Sequence, residues 1–317
     1  MLNKKPLVEV LSLQKSYGSV PVVKGIDFKM FEGEVLGLLG PNGAGKTTTV
    51  LMLAAYLVPD KGSIRIDNKD LSNPKDIKEI RSNIGYVPQE ISLYGDLNSV
   101  QNLQFFGKLY NVKSDLLKVR IDEALELVGL SDKRKQLVKH FSGGMQRRLN
   151  IAVALLHRPK LVILDEPTTG IDPQSRNRIF DIVKDLKKNN TSVLYITHYM
   201  EEAQLLCDRV AVMDDGKIIA IDTVSSLLQT VKGSRILNVE IANWDEAYKI
   251  HLKKQYGASE VTYRDGVLSV HIEDAKSVIP RLINELYNMG CDIKKIDIVE
   301  PDLQQVFLQL TGKKLRD

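Results

Sequence analysis

Gly40-Pro41-Asn42-Gly43-Ala44-Gly45-Lys46-Thr47 sets the reading of the rest of the chain. It fits G-x-x-x-x-G-K-[ST], a phosphate-binding loop. Val35-Leu36-Gly37-Leu38-Leu39 before it is short and apolar and reads as a buried strand. Thr48 to Ala55 after it reads as a helix. Strand, glycine loop and helix is the context that the pattern requires. The glycines let successive N–H groups turn inward and form a nest for anionic oxygens. The helix N-terminus adds partial positive charge. Lys46 can reach the β- and γ-phosphates of a nucleoside triphosphate, and the Thr47 hydroxyl can ligate Mg²⁺. A glycine-rich turn without a ligand is the plain alternative, and the flanking strand and helix weigh against it.

The chain has 317 residues, enough for one large domain or two moderate ones. Its 43% hydrophobic and 26% charged residues are ordinary for a globular protein. A net charge of +4 is too mild to argue for nucleic acid, and none is expected as a partner. The basic clusters Lys133-Arg134-Lys135 and Lys313-Lys314 read as solvated surface. Cys207 and Cys291 sit among apolar neighbours without a C-x-x-C pattern, which excludes a disulfide framework and a zinc site. No signal peptide is expected behind Met1-Leu2-Asn3-Lys4-Lys5-Pro6. No apolar run reaches the roughly 18 residues that a membrane span needs.

Around the loop the chain alternates. Residues 7–31 read as antiparallel strands joined at Tyr17-Gly18-Ser19, and residues 59–70 as a turn and one further strand. Between about 90 and 158 the period changes. Val100, Leu103, Phe106 and Tyr110, then Leu117, Ile121, Leu125 and Val128, recur at helical spacing, with Gly129 as a stop. This predicts a helical insert in an α/β domain spanning residues 1–230. From Leu161 strands and helices alternate again: strands Leu161–Leu164, Ser192–Thr197, Arg209–Met213 and Lys217–Ile221, helices Gln174–Lys188 and Met200–Cys207. That order predicts a largely parallel sheet covered on both faces. A second unit, 234–317, reads as strand Ile236–Ile241, helix Trp244–Gln255, strands Glu260–Tyr263 and Val267–Ile272, helix Ala275–Met289 and strand Asp292–Val299, with a last helix over Asp302–Leu310. The order βαββαβ predicts a ferredoxin-like α+β unit.

Two further stretches carry chemistry. Leu161-Val162-Ile163-Leu164-Asp165-Glu166 is a buried strand delivering two acids at its C-terminal edge, where ligands bind in parallel sheets. Asp165 can hold Mg²⁺ through its water shell, and Glu166 is placed to orient or deprotonate a water. Phe141-Ser142-Gly143-Gly144-Met145-Gln146 offers a serine-capped helix start, a second potential anion site.

Together these motifs resemble the ATP-binding cassette (ABC) family. Gly40, Pro41, Asn42, Gly43, Ala44, Gly45, Lys46, Thr47 and Thr48 look like its Walker A motif, Ser142-Gly143-Gly144 its signature, and Leu161–Glu166 its Walker B motif. Tyr17 lies where the adenine-stacking aromatic lies, Gln89 matches the glutamine loop, Thr169-Gly170-Ile171-Asp172 the D-loop and His198 the switch histidine. The resemblance covers about residues 7–225. Phe141 and Met145 depart from the usual Leu-Ser-Gly-Gly-Gln, and the form Ser-Gly-Gly-Met followed by Arg147 and Arg148 is similar to the branch of daunorubicin-resistance-type export ATPases. The ending Glu300-Pro301-Asp302-Leu303-Gln304-Gln305-Val306-Phe307-Leu308 also looks like that branch.

The resemblance implies a P-loop ATPase with a mixed sheet and a helical subdomain. It implies that ATP and Mg²⁺ bind between the P-loop of one copy and the Ser142 loop of another. The partner copy is then a second ABC subunit, the same chain or a related cassette. Lys46, Glu166 and His198 are expected to act in catalysis; Thr47, Gln89 and Asp165 to organise Mg²⁺; and Ser142, Gly143, Gly144, Tyr17 and Asp172 to contact nucleotide. An integral membrane permease is the expected further partner, and the cytoplasmic face of the membrane the expected location. A soluble cassette ATPase on ribosome or DNA is the alternative, disfavoured because neither a second cassette nor a long coiled-coil insert is present. A small-molecule kinase or GTPase would leave Ser142-Gly143-Gly144 and Tyr17 unexplained.

Overall fold

The computed structural model describes residues 5–230, 235–245, 248, 252, 261–272 and 275–312. They form two compact units that part between Val224 and Ser225. In the first, β1 (Pro6–Tyr17) and β2 (Val20–Phe31) pair antiparallel, with Tyr17 opposite Val20. Gly18 turns between them at φ +61°. β3 (Val35–Leu39) is buried at every position, as a central parallel strand requires. It leads through the glycine loop into α1 (Lys46–Leu53), which begins earlier than its apolar pattern suggests. Gly45 is the cause: at φ 100° it turns the chain straight into helix, a conformation costly for any residue with a Cβ.

β4 (Lys61–Ile66) and β5 (Lys69–Asp70) complete a four-stranded sheet in the order β2-β1-β4-β5. The sequence reading assigned nothing to the next segment. It folds as α2 (Pro74–Ser82), capped by the Asn73 side chain, and β6 (Ile84–Val87). The helical insert contains α3 (Ser99–Leu109), α4 (Ser114–Leu127) and α5 (Gly143–Leu155). Asn98 and Gln101 form a capping box at the start of α3, and Gly129 follows α4 at φ +64°.

β7 (Leu161–Asp165), α6 (Pro173–Lys188), β8 (Ser192–Thr197), α7 (Met200–Leu206), β9 (Arg209–Asp214) and β10 (Lys217–Thr223) follow. The second sheet has the order β10-β9-β3-β8-β7-β6. It is parallel except for β10, which returns antiparallel to β9. Leu39 lies opposite Thr197, and Asp165 opposite Ile196. The residues that follow these three strand ends, the glycine loop, His198 and Glu166, therefore emerge side by side at one edge. Leu36, Leu38, Ile163 and Ile196 from this sheet share one core with Val8, Val10 and Ile26 from the other.

α8 (Val224–Gln229) begins at the boundary, and the second unit continues with β11 (Arg235–Ala242), β12 (Val261–Arg264), β13 (Val267–Ile272), α9 (Ala275–Asn288), β14 (Asp292–Val299) and α10 (Leu303–Thr311). Its strands run β12-β13-β11-β14, each neighbour antiparallel, the order that a ferredoxin-like split unit gives. The expected helix Trp244–Gln255 lies largely outside the described residues. Leu237, Val239, Leu268, Val270, Leu282 and Leu286 form this unit's own core. Among the described residues no helix is long and apolar enough to cross a membrane.

Candidate functional site

Two backbone approaches explain the glycines of the loop. A Cβ on Gly40 would sit 2.1 Å from the Met213 carbonyl oxygen, and one on Gly45 2.8 Å from that of Val22. The loop is thus seated against β9 and β2. Gly43, at φ +82°, has open space where a Cβ would lie. Lys46 reaches back over the loop: its ammonium donates to the carbonyls of Gly40 at 2.9 Å and Pro41 at 3.0 Å. It is only 5% exposed. Burial pushes its pKa down, while the nearby Glu166 and Asp165 oppose that shift. Thr48 is buried and Thr47 exposed.

Asp165 ends β7 at 2% exposure. The Tyr86 hydroxyl donates to its Oδ2 over 3.4 Å. Burial, then the charge of Glu166, raises its pKa. Glu166 takes φ +46°, a left-handed conformation that costs a residue with a side chain about 1–2 kcal/mol. Such strain persists where surrounding contacts hold it, and here they are dense. His198 Nδ1 is 3.1 Å from Glu166 Oε1. Gln89 Nε2 donates to Oε2 at 3.3 Å, and the Thr169 hydroxyl to the same oxygen at 3.2 Å. Facing a carboxylate, Nδ1 is the donor, which leaves Nε2 for another partner.

Lys46, Gln89, Asp165, Glu166 and His198 are thus brought together. Among the described residues no hydrogen bond ties Tyr17, Ser142 or Asp172 to them. Tyr17 ends β1 with 51% of its surface exposed. Ser142 and Asp172 each cap a helix instead. Ser142 caps α5 by accepting the Met145 N–H at 3.2 Å, and Asp172 caps α6 by accepting the Ser175 N–H at 2.9 Å. That bond, with the Ser175 hydroxyl, holds the Asp172 pKa down. The two helix starts pack together at Gly144: a Cβ there would lie 2.1 Å from Ser175 Oγ and 3.3 Å from Asp172 Oδ2. Gly143 has open space beside it.

Sequence reasoning gave Arg147 no role in the site. This α5 residue is 6% exposed, and its guanidinium donates to the carbonyls of Pro88 at 2.8 Å and Gln89 at 2.5 Å. It ties the glutamine loop to the helix that Ser142 caps. Backbone acceptors carry no signature in sequence, so nothing could have announced this contact.

The residues fit a magnesium nucleoside triphosphate. An ammonium has three donors, and the loop carbonyls take two from Lys46. Two adjacent acids at a sheet edge favour a cation, and an exposed threonine hydroxyl follows Lys46. Among the described residues no cluster of three or more His, Cys, Asp and Glu could cage a metal. Mg²⁺ suits such a sparse set, because it is commonly held by one or two carboxylates, waters and substrate phosphates.

A family model described as ABC transporter matches residues 23–169. The linearmycin resistance ATP-binding protein LnrL of Bacillus subtilis is 40% identical over 313 residues, covering 98% of this chain and all of the relative. The chain belongs to the ABC transporter family. It is an ATP-binding subunit, and the cassette family hydrolyses ATP. The daunorubicin/doxorubicin resistance ATP-binding protein DrrA of Streptomyces peucetius is 36% identical, covering 100% of this chain and 96% of that one. The export-branch resemblance of the Ser142 stretch is therefore matched across the full length of this ABC subunit. Among solved structures, cbiO1 of Clostridium perfringens, described as part of the ABC transporter complex cbiONQ, superposes with a TM-score of 0.66 at 27% identity. It covers 80% of this chain and 97% of its own.

Proposed function

We propose that this subunit powers export of a small molecule through a separate membrane permease, as a head-to-tail pair of cassettes at the cytoplasmic face. The observation that carries the proposal is the Glu166 carboxylate, held in a strained backbone by His198, Gln89 and Thr169 beside Asp165. In this reading Glu166 takes a proton from the attacking water, and His198 Nε2 faces the γ-phosphate and that water. Lys46 and the loop N–H groups stabilise phosphate charge. Thr47, Gln89 and Asp165 would hold Mg²⁺, which would supply positive charge to offset the charge developing on the phosphates. That no hydrogen bond among the described residues ties Ser142 or Asp172 to Lys46 supports a site that needs a second copy. Names of relatives, which speak of resistance to linearmycin and to daunorubicin and doxorubicin, support export.

A groove of about 1050 Å³ lined by Tyr56, Tyr86, Leu109, Tyr110 and His157 supports a route to the permease. Tyr86 lines the groove and its hydroxyl reaches Asp165. Residues after about 233 form an accessory unit that steadies the pair. Glu166→Gln protein, tagged and recovered from detergent-solubilised membranes with ATP, tests the reading. Co-purification of a polytopic membrane protein without its own cassette is the expected result. Recovery only with ribosomes or nucleic acid would move the assignment to a soluble cassette ATPase.

A further inference from the structure

One acid near the site is unused by this mechanism. Glu202 on α7 is 4% exposed, whereas its neighbour Glu201 faces solvent. Three hydroxyls converge on its Oε2: Thr168 at 2.8 Å, Tyr195 at 2.9 Å and Thr197 at 3.3 Å. Its Oε1 is buried with no partner among the described residues. A buried acceptor left unpaired costs free energy, so the arrangement is not the cheapest filling for this space.

The three donors lie on the segments that carry the catalytic pair. Thr168 is two residues past Glu166, and the next residue, Thr169, donates to Glu166 Oε2. Thr197 immediately precedes His198. Because its hydroxyl hydrogen goes to Glu202, its lone pair is free to accept the Tyr199 N–H at 2.9 Å. His198 is thereby bracketed on both sides. Tyr195 anchors the carboxylate to β8, and burial, then Glu202 itself, keeps its hydroxyl protonated and donating.

We infer that Glu202 is a positioning residue, a single carboxylate that clamps the loop after Glu166 to the turn around His198 and so sets the Glu166–His198 contact. The inference rests on the proposed roles of Glu166 and His198. Mere packing would predict lost stability; a clamp predicts lost turnover that depends on His198.

The test uses the full chain as wild type, Glu166→Gln, His198→Ala, Glu202→Gln, Glu202→Ala, Thr168→Val and the His198→Ala, Glu202→Gln double variant. Equilibrium ATP binding, kcat for hydrolysis and thermal unfolding are measured separately. Glu202→Gln, which keeps the volume, and Thr168→Val carry the test if Glu202→Ala does not fold. Glu202→Gln is expected to lower kcat about 10- to 100-fold, the scale of a small misplacement of reacting groups. ATP affinity should stay within about twofold, as for a group acting on the chemical step alone. Once His198 is gone, adding Glu202→Gln should cost less than about threefold more, because coupled residues are not additive. Wild-type kcat in folded Glu202→Gln, or an equal loss with and without His198, overturns the clamp. Wild-type turnover in Glu166→Gln or His198→Ala overturns the site reading, and the clamp with it.

Discussion

Replacing Arg147 with Met removes the guanidinium while keeping a long side chain buried between α5 and the glutamine loop. Two charge-assisted bonds are lost, to Pro88 O at 2.8 Å and Gln89 O at 2.5 Å. Hydrogen bonds to charged groups are worth about 1.5–3 kcal/mol each. Two effects offset this. Burial already disfavours the Arg147 cation, and its Nε has no partner among the described residues. Gln89 is exposed and Pro88 half-buried, so water can reach the freed carbonyls. We therefore expect global stability to change by no more than about 1 kcal/mol, while the loop loses about 2 kcal/mol of tethering. At 1.4 kcal/mol per factor of ten, the positioned fraction of Gln89 falls by up to about 30-fold, and kcat with it. Hydrogen exchange at Val87, Gln89 and Glu90, together with steady-state hydrolysis, measures both. Arg147→Lys, with one donor group, should fall between. Unchanged exchange with kcat within about twofold of wild type would refute the tether.

Lys46→Ala should weaken ATP binding by at least about tenfold, the value of one charge-assisted contact; unchanged affinity in a binding titration would remove the phosphate assignment. Asp165→Asn should raise the melting temperature of the nucleotide-free chain at pH 7. Burial and Glu166 raise the native pKa of Asp165 above its ordinary 3.8, so the folded state holds that proton more tightly than the unfolded state. Ionising it costs stability as pH rises from about 3.8 through the raised value, and the gain from Asn should vanish below that window. Equal melting temperatures at pH 7 would contradict the burial argument. Gly144→Ala should destabilise by about 1–3 kcal/mol, since its Cβ would meet Ser175 Oγ at 2.1 Å and Ser175 Cβ at 2.4 Å. Ser175→Gly should recover much of the loss, read by denaturant unfolding; no recovery would place the strain elsewhere.

The glycine loop and the Asp165-Glu166 strand end were legible because their chemistry demands particular residues at fixed spacing. Two elements were not. Ile84–Val87 is four residues long with a glycine inside, and becomes a strand only because Leu161–Leu164 pairs with it. Asn73-Pro74 starts a helix whose only buried residue is Ile80, so no apolar stripe betrays it. Arg147 and Glu202 were hidden differently. Both look like surface charges on amphipathic helices, and their burial is decided by partners 58 or 59 residues away for Arg147 and up to 34 for Glu202. The strain at Glu166 is equally a product of the assembled site: Ile196 O fixes its N–H at 3.0 Å, and His198, Gln89 and Thr169 hold its carboxylate.

The most direct measurement is ATP turnover and molecular mass for wild type and Glu166→Gln side by side. Glu166→Gln is expected to bind ATP with wild-type affinity, to leave it unhydrolysed, and to double in mass when ATP and Mg²⁺ are added. Wild-type turnover in that variant, or an ATP-bound species that stays a monomer, would contradict the proposed mechanism.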